Sequence, residues 1–215
     1  MDFTKRTGFA LTRYDAYERY LGQGFRYRNN GGSFYANWLK WLYLFGSYTQ
    51  GLGVDYYPGQ GIQPFLGKSQ NASFGFTFRP KPRIRIEQSY YYSRLGTRDG
   101  FLSTGEQAAV FNNHLLRTKV NYQFTRALSI RGILDYDPLL ANSALFGSQT
   151  SKPLTGDVLL TYLINPGTAL YIGYDSHYQN LAFDPTMPQA LWPFGPPTYL
   201  TSRQIFIKLS YLLRF

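Results

Sequence analysis

The 215 residues are 44% hydrophobic and 19% aromatic, carry a net charge of +10 and include no cysteine, which excludes disulfides, thiolate nucleophiles and Cys-ligated metals. No run approaches the roughly 18 apolar residues a membrane helix needs. Apolar residues are diluted among polar ones, leaving either a soluble all-β protein or a transmembrane barrel built from alternating segments of about 10 residues.

The opening stretch, MDFTKRTGFALTRYDAYERY, has no apolar core of about 7–15 residues, so a mature, truncated or non-exported chain is expected. Segments 3–14 and 17–28 read as strands with weak alternation. After an Asn29-Asn30-Gly31-Gly32 turn, 33–48 (SFYANWLKWLYLFGSY) reads as one long strand; its aromatics fall on both faces, so an amphipathic or plug-like element is the alternative.

From residue 70 the pattern becomes a regular meander, with strands expected over 70–79, 83–93, 114–124, 127–137, 154–164, 168–178 and 201–215. Short turns at 79–82, 125–126 and 165–167 alternate with loops 94–113, 138–153 and 179–200. Compact soluble domains seldom hold several structureless loops of that length, whereas outer-membrane barrels pair tight periplasmic turns with long outer loops. The parity then brings the last strand inward, ending at the periplasmic rim.

Period-two alternation keeps charges on one face. Phe74, Phe76 and Phe78 oppose Ser73, Gly75 and Thr77; Ile84 and Ile86 oppose Arg83, Arg85 and Glu87; Leu116 and Val120 oppose Arg117 and Lys119; Leu128, Ile130 and Leu134 oppose Arg131 and Asp135. Aromatics concentrate at strand ends, with Tyr90, Tyr92, Tyr136, Tyr174 and Tyr178 toward the loops and Phe78, Tyr122, Phe124, Tyr162 and Phe215 toward the turns. That is the two-girdle arrangement expected where hydrocarbon meets headgroups.

The chain ends in IFIKLSYLLRF. A closing strand with Leu209, Tyr211 and Leu213 at alternate positions before a terminal Phe215 resembles the carboxy-terminal assembly signal of bacterial outer-membrane proteins. That resemblance implies recognition by the barrel-assembly machinery. The words LLRTKVNYQFT (115–125), SIRGILDY (129–136) and NPGTALYIGY (165–174) resemble the C-terminal barrel of an uncharacterised bacterial outer-membrane family, whose long members carry a family-9-like carbohydrate-binding domain before the barrel. The resemblance covers about a third of the chain. No such preceding domain is present here, so the chain looks like the terminal part of a longer barrel gene, or a short or split version, and the carbohydrate role does not transfer.

If the polar face is luminal, Arg83, Arg85, Glu87, Arg117, Lys119, Arg131, Asp135, Asp157, Asp175 and Lys208 are the pore-lining candidates. Rings of Arg and Lys favour anions; for around ten strands, a side-chain-filled interior is the expected alternative to a conducting path. Asp175 and His177 share a face near the outer rim and form the only catalytic pair in view, as in a surface hydrolase. Basic residues are spread over successive strands instead of clustered, which argues against nucleic acid. Loop 179–200, rich in Pro and bearing Trp192 and Phe194, is expected to pack on neighbouring loops.

These observations predict an all-β, antiparallel transmembrane barrel of about ten strands, or the terminal part of a larger one. Residues 1–215 form a single domain in the outer membrane of a Gram-negative-type bacterium. The expected role is non-enzymatic, without cofactor or metal: passing or binding small solutes, anionic or carbohydrate, or serving as a membrane-anchored structural module. Expected partners are outer-membrane lipid and lipopolysaccharide, the assembly machinery and a partner chain completing or accompanying the barrel. A soluble carbohydrate-binding sandwich is the remaining alternative.

Overall fold

The computed structural model describes residues 6–103, 105–183 and 190–212. Thirteen strands are described: β1 (Arg6–Tyr20), β2 (Gln23–Leu39), β3 (Leu42–Asp55), β4 (Phe65–Lys81), β5 (Ile84–Gly96), β6 (Ala109–Gln123), β7 (Leu128–Tyr136), β8 (Leu139–Ala141), β9 (Leu154–Asn165), β10 (Thr168–Gln179), β11 (Leu181–Phe183), β12 (Leu191–Pro193) and β13 (Tyr199–Tyr211). One antiparallel sheet runs β1-β2-β3-β4-β5-β6-β7-β9-β10-β13, with β8 attached to β6; β11 and β12 form a separate hairpin. Among the described residues the second sheet is only the β11–β12 hairpin, so no sandwich of two large sheets is seen. The sheet is also open, because β1 and β13 are not paired with each other. The expected closed barrel is therefore seen only as an antiparallel meander.

The N-terminal third differs most from its sequence expectation. Residues 33–48 are not one strand: β2 and β3 meet in a tight turn at Lys40-Trp41, and no plug-like element is present there. Asn29-Asn30-Gly31-Gly32 is not a turn but the middle of β2, where Gly31 faces Thr12 and Thr49. A methyl at Gly31 would lie 2.9 Å from the Tyr48 carbonyl oxygen, so glycine serves close strand approach here. The true reversal is Leu21-Gly22, where both residues hold positive φ (46° and 82°) and form the two-residue hairpin connection that matches strand twist. β1 consequently runs unbroken through Tyr14–Tyr17.

Connections segregate by length. At one end lie the turns 40–41, 82–83, 124–127 and 166–167; at the other lie loops 56–64, 97–108, 137–153 and 180–198, with Leu21-Gly22 the only tight turn among them. The expected asymmetry is present, and both edge strands have their outer ends on the turn side.

The registers reveal a tilt. Phe9 lies opposite Phe34, and the line continues through Gly46, Phe74, Tyr90, Leu116, Tyr136, Leu154 and Tyr178 to Leu200. It climbs from near the turn end of β1 to the loop end of β13.

The sheet is curled. Two loops separated by several strands meet across one face, where Gly59 N donates to Leu145 O and Gly147 N donates to Tyr57 O, each at 2.8 Å. Beneath them Phe65, Leu95, Val110 and Leu145 form the buried cluster, with Ile62, Phe111 and Phe146 packed against it. Val110 is completely buried. The dry core thus sits at the loop end of the concave face.

Gly75, in the centre of β4, lies under the ring of Phe45. A methyl there would meet that ring at 2.5 Å and the Gln88 carbonyl oxygen at 2.8 Å. Backbone on one side leaves no room to yield, so Gly75→Ala is expected to cost about 1–3 kcal/mol, read as a lower urea midpoint in detergent.

Candidate functional site

Cross-strand partners share a face, so the registers sort every side chain. On the convex face, one row runs Leu11, Gly32, Tyr48, Ala72, Tyr92, His114 and another Phe9, Phe34, Gly46, Phe74, Tyr90, Leu116. Leu134, Val158, Ile172, Ile207 and Leu209 continue this apolar surface to the far edge. Within the strands, convex-face charges are confined to the ends: Lys81 at the turn end of β4, and Arg13, Asp15, Arg19, Arg26, Arg28, Lys68, Arg94 and Arg203 toward the loop ends. Asp15 bridges Arg13 (3.5 Å) and Arg28 (2.5 Å), and Lys68 bridges Asp99 (3.1 Å).

The convex side chains are exposed to a degree unusual for apolar residues, reaching 76% for Leu11 and 72% for Ile207. A surface of this size without a partner marks a contact region. In the middle of this band Gln88 and Thr118 stand side by side and satisfy each other: Thr118 Oγ1 donates to Gln88 Oε1 (2.6 Å), while Gln88 Nε2 donates to the Arg117 carbonyl (3.0 Å).

The concave face is layered. Under the apolar cap lies a polar cleft of about 430 Å³, neutral but for one carboxylate and lined by Ser47, Asn71, Ser73, Tyr91, Ser93 and Asn113 among others. Ser47 and Ser73 share a hydroxyl bond of 2.7 Å, and Ser93 donates to Asn71 Oδ1 at 2.8 Å. Asp137 also lines this cleft.

Toward the turn end follows a second cleft of about 430 Å³, reaching from Phe45 on β3 to Asp157 on β9. Glu87, Arg117, Lys119, Asp135 and Asp157 meet there, so five of the pore-lining candidates converge. Arg117 grips Asp135 with two bonds of 2.7 Å, from Nε and Nη2, and Lys119 Nζ lies 3.3 Å from Glu87 Oε2. Arg85 also binds Glu87. Asp175 lies directly opposite Asp157 on the same face.

The remaining candidates are scattered. Arg131 faces Asn121 and Leu159, and Lys208 faces Tyr171 near the open edge. Arg83 is not a strand residue but sits in the 82–83 turn, because β5 begins at Ile84. The cleft thus pairs Arg117 with Asp135, and Arg85 and Lys119 with Glu87, while Asp157 and Asp175 face each other as like charges. The basic lining expected from sequence is offset by Glu87, Asp135, Asp157 and Asp175, which the fold brings within the same layer.

His177 does not couple to Asp175. Its Nδ1 lies 2.8 Å from Thr155 Oγ1 and its Nε2 lies 3.3 Å from Gln179 Nε2. His114 Nδ1 instead meets Tyr90 Oη at 2.8 Å on the convex face. Among the described residues no group of three or more His, Asp or Glu is arranged to hold a metal.

At the loop end, Tyr56 donates to Glu18, a bond that pushes the phenol up to about 12. Bonds from Lys68, then Gln107, hold the Asp99 carboxyl below its usual range. Loop 180–198 is not structureless: β11 and β12 pair in it, Trp192 and Phe194 stack at 5.7 Å, and both stay exposed. Among the described residues it is held to loop 137–153 by Lys152, whose N donates to Asn180 Oδ1 at 2.6 Å and whose Nζ donates to the Gly195 carbonyl at 3.4 Å.

Sequence reasoning missed the cap and the polar cleft beneath it. Their signal was present in the parity of Ser47/Thr49 and Asn71/Ser73/Ser93, but short polar side chains carry little weight without a charge beside them. Of the assembly-signal residues, Leu209 and Tyr211 lie on the convex face, and Leu213 and Phe215 fall outside the described residues. No family model, curated protein or solved structure matches the chain.

Proposed function

We propose that the chain is a non-enzymatic outer-membrane β-barrel module whose convex face contacts hydrocarbon and whose narrow polar interior binds or passes small polar solutes. One observation carries this reading. The exposed convex face is apolar and free of charge from the turn ends up to the loop-side charges, a segregation that a bilayer enforces and water does not. The paired charges inside and the dry cap above favour holding a solute over free conduction, as side chains fill small barrels.

The proposed closure would pair the two edge strands. β1 and β13 run in opposite directions, with 15 and 13 residues, and both present apolar residues on the convex side. The line from Phe9 ends at Leu200; sliding it down to Leu209 is a stagger of about nine residues. Across ten strands about 4.8 Å apart, at about 3.3 Å per residue, that is a tilt of roughly 30°, close to barrel values. In this register Leu209 lies beside Phe9, Ile207 beside Leu11 and Arg203 beside Asp15, so apolar meets apolar and cation meets anion.

Two experiments test the reading. The protein should partition into detergent and show a heat-modifiable band on gels; a chain that stays monomeric in buffer without detergent contradicts it. Because the chain has no native cysteine, Leu11→Cys with Ile207→Cys should be joined by a short bismaleimide within one chain. A crosslink found only between chains would replace self-closure with completion by a second copy.

A further inference from the structure

The turn end is far more basic than the rest of the molecule. Arg6, Lys40, Arg79, Lys81, Arg83 and Arg126 lie at or beside the four tight turns and the outer end of β1. No Asp or Glu occupies those turns among the described residues; the first acid along any strand from this end is Glu87, already held by Arg85 and Lys119. Acids gather at the opposite end, at Asp55, Asp99, Glu106 and Asp137. None of Arg79, Lys81, Arg83 and Arg126 is ion-paired with a described residue.

Two further features belong to the same rim. The run Arg79-Pro80-Lys81-Pro82-Arg83 alternates cations with prolines, which limit backbone freedom and hold the charges in place. Beside it a cleft of about 330 Å³ is lined by Asn37, Lys40, Trp41, Tyr43, Arg79 and Arg85, so cations, an amide and a phenol converge next to aromatic carbon. Arg79 N donates to the Trp41 carbonyl at 2.7 Å, which fixes the β2–β3 turn against β4, and Trp41 packs edge-on against Phe78 at 5.5 Å. Its Asn37, Tyr43, Thr77 and Arg85 belong to the concave face, so the cleft joins the interior polar layer and not the apolar band.

From this placement we propose that the turn-end rim formed by Arg79, Lys81, Arg83 and Arg126 is a docking surface for the phosphate groups of anionic phospholipid. The inference rests on the membrane reading above. A phosphate at this level completes the sequence that a lipid itself presents: acyl chain along Phe78 and Ile84 on the convex face, anion at Lys81, which pairs with Ile84 at the turn end of that face. Cations next to a bilayer surface add attraction to anionic lipid that salt screens.

The test uses the full chain and vesicles of phosphatidylcholine alone or with about a quarter phosphatidylglycerol. Association measured by co-flotation should be about tenfold or more stronger with phosphatidylglycerol, and that preference should disappear in about 0.5 M NaCl. The combined variant Arg79→Gln, Lys81→Gln, Arg83→Gln, Arg126→Gln should lose the preference yet still give a heat-modifiable band in phosphatidylcholine. Exchanging the same positions between Arg and Lys should retain it. Equal association of the native chain with both vesicles, or a preference that survives in the Gln variant, overturns the lipid site and leaves the barrel standing. Competition by millimolar glycerol phosphate would also overturn it, assigning the rim to a soluble anion. Failure to insert into either vesicle removes the barrel reading and this site together.

Discussion

Leu95→Ala is expected to destabilise the fold by about 2–5 kcal/mol, the range for emptying a packed leucine site. Leu95 is only 4% exposed and packs among Phe65, Val110 and Leu145, the one dry cluster under the outer loops. Two backbone bonds, from Gly59 and Gly147, tie those loops over it. A site so braced collapses poorly onto the missing atoms, which places the cost toward the upper part of the range. Urea unfolding in detergent micelles, followed by tryptophan fluorescence, reads the change as a shift of midpoint at constant slope. A loss below about 1 kcal/mol would mean that the loops slide freely, and that the cap is not a structural unit.

The second large effect separates the two faces. Leu134 is 51% exposed in the convex band, opposite Thr118 and Gly156. Leu134→Arg should cost about 2–4 kcal/mol in a bilayer, because the guanidinium would stand in hydrocarbon. Thr161 on the concave face, opposite Ser129 and Tyr171, offers the contrast. Thr161→Arg should change little, since polar neighbours and solvent receive the charge. Refolding into phosphatidylcholine vesicles, quantified from the folded band on unheated gels across a urea series, compares the two. Equal tolerance of both substitutions would mean that water, not lipid, touches Leu134. The self-contained pair of Gln88 and Thr118 fits the same environment: a polar group facing lipid must find its partner within the protein.

The strand pattern was legible wherever alternation was strict. From β4 onward every expected strand is present, with ends displaced by up to five residues in either direction, because charges such as Arg117 and Asp135 fall on one face and leave the other apolar. Legibility failed at the N-terminal third for identifiable reasons. Asn29-Asn30-Gly31-Gly32 has turn composition, yet cross-strand crowding, not a reversal, requires glycine there. The real turn at Lys40-Trp41 contains neither Gly nor Pro and is flanked by Trp38 and Leu42, so aromatic and aliphatic residues conceal the break. Leu21 in the left-handed region is equally invisible, since leucine rarely adopts it.

The site was legible in type but not in balance. Parity alone places Arg85, Glu87, Arg117, Lys119, Asp135, Asp157 and Asp175 on one face. Whether they form an anion-attracting wall or a self-paired network depends on which strands stand side by side and in what register. The bidentate Arg117–Asp135 pair joins positions 18 residues apart, and the Glu87–Lys119 pair joins positions 32 apart.

By itself the sequence determined the β class, the two-faced ribbons, the inequality of turns and loops and the absence of thiol chemistry, because each is a local property of period, composition or spacing. Only the tertiary structure decided where the first three strands reverse, that the long loops enclose a dry cluster on the concave side, that Arg117 and Asp135, and Lys119 and Glu87, pair across strands, and that cations gather at the tight turns while acids collect at the other end. Those outcomes depend on register and curvature, which sum small twists and offsets over ten strands and are written in no single stretch of the chain.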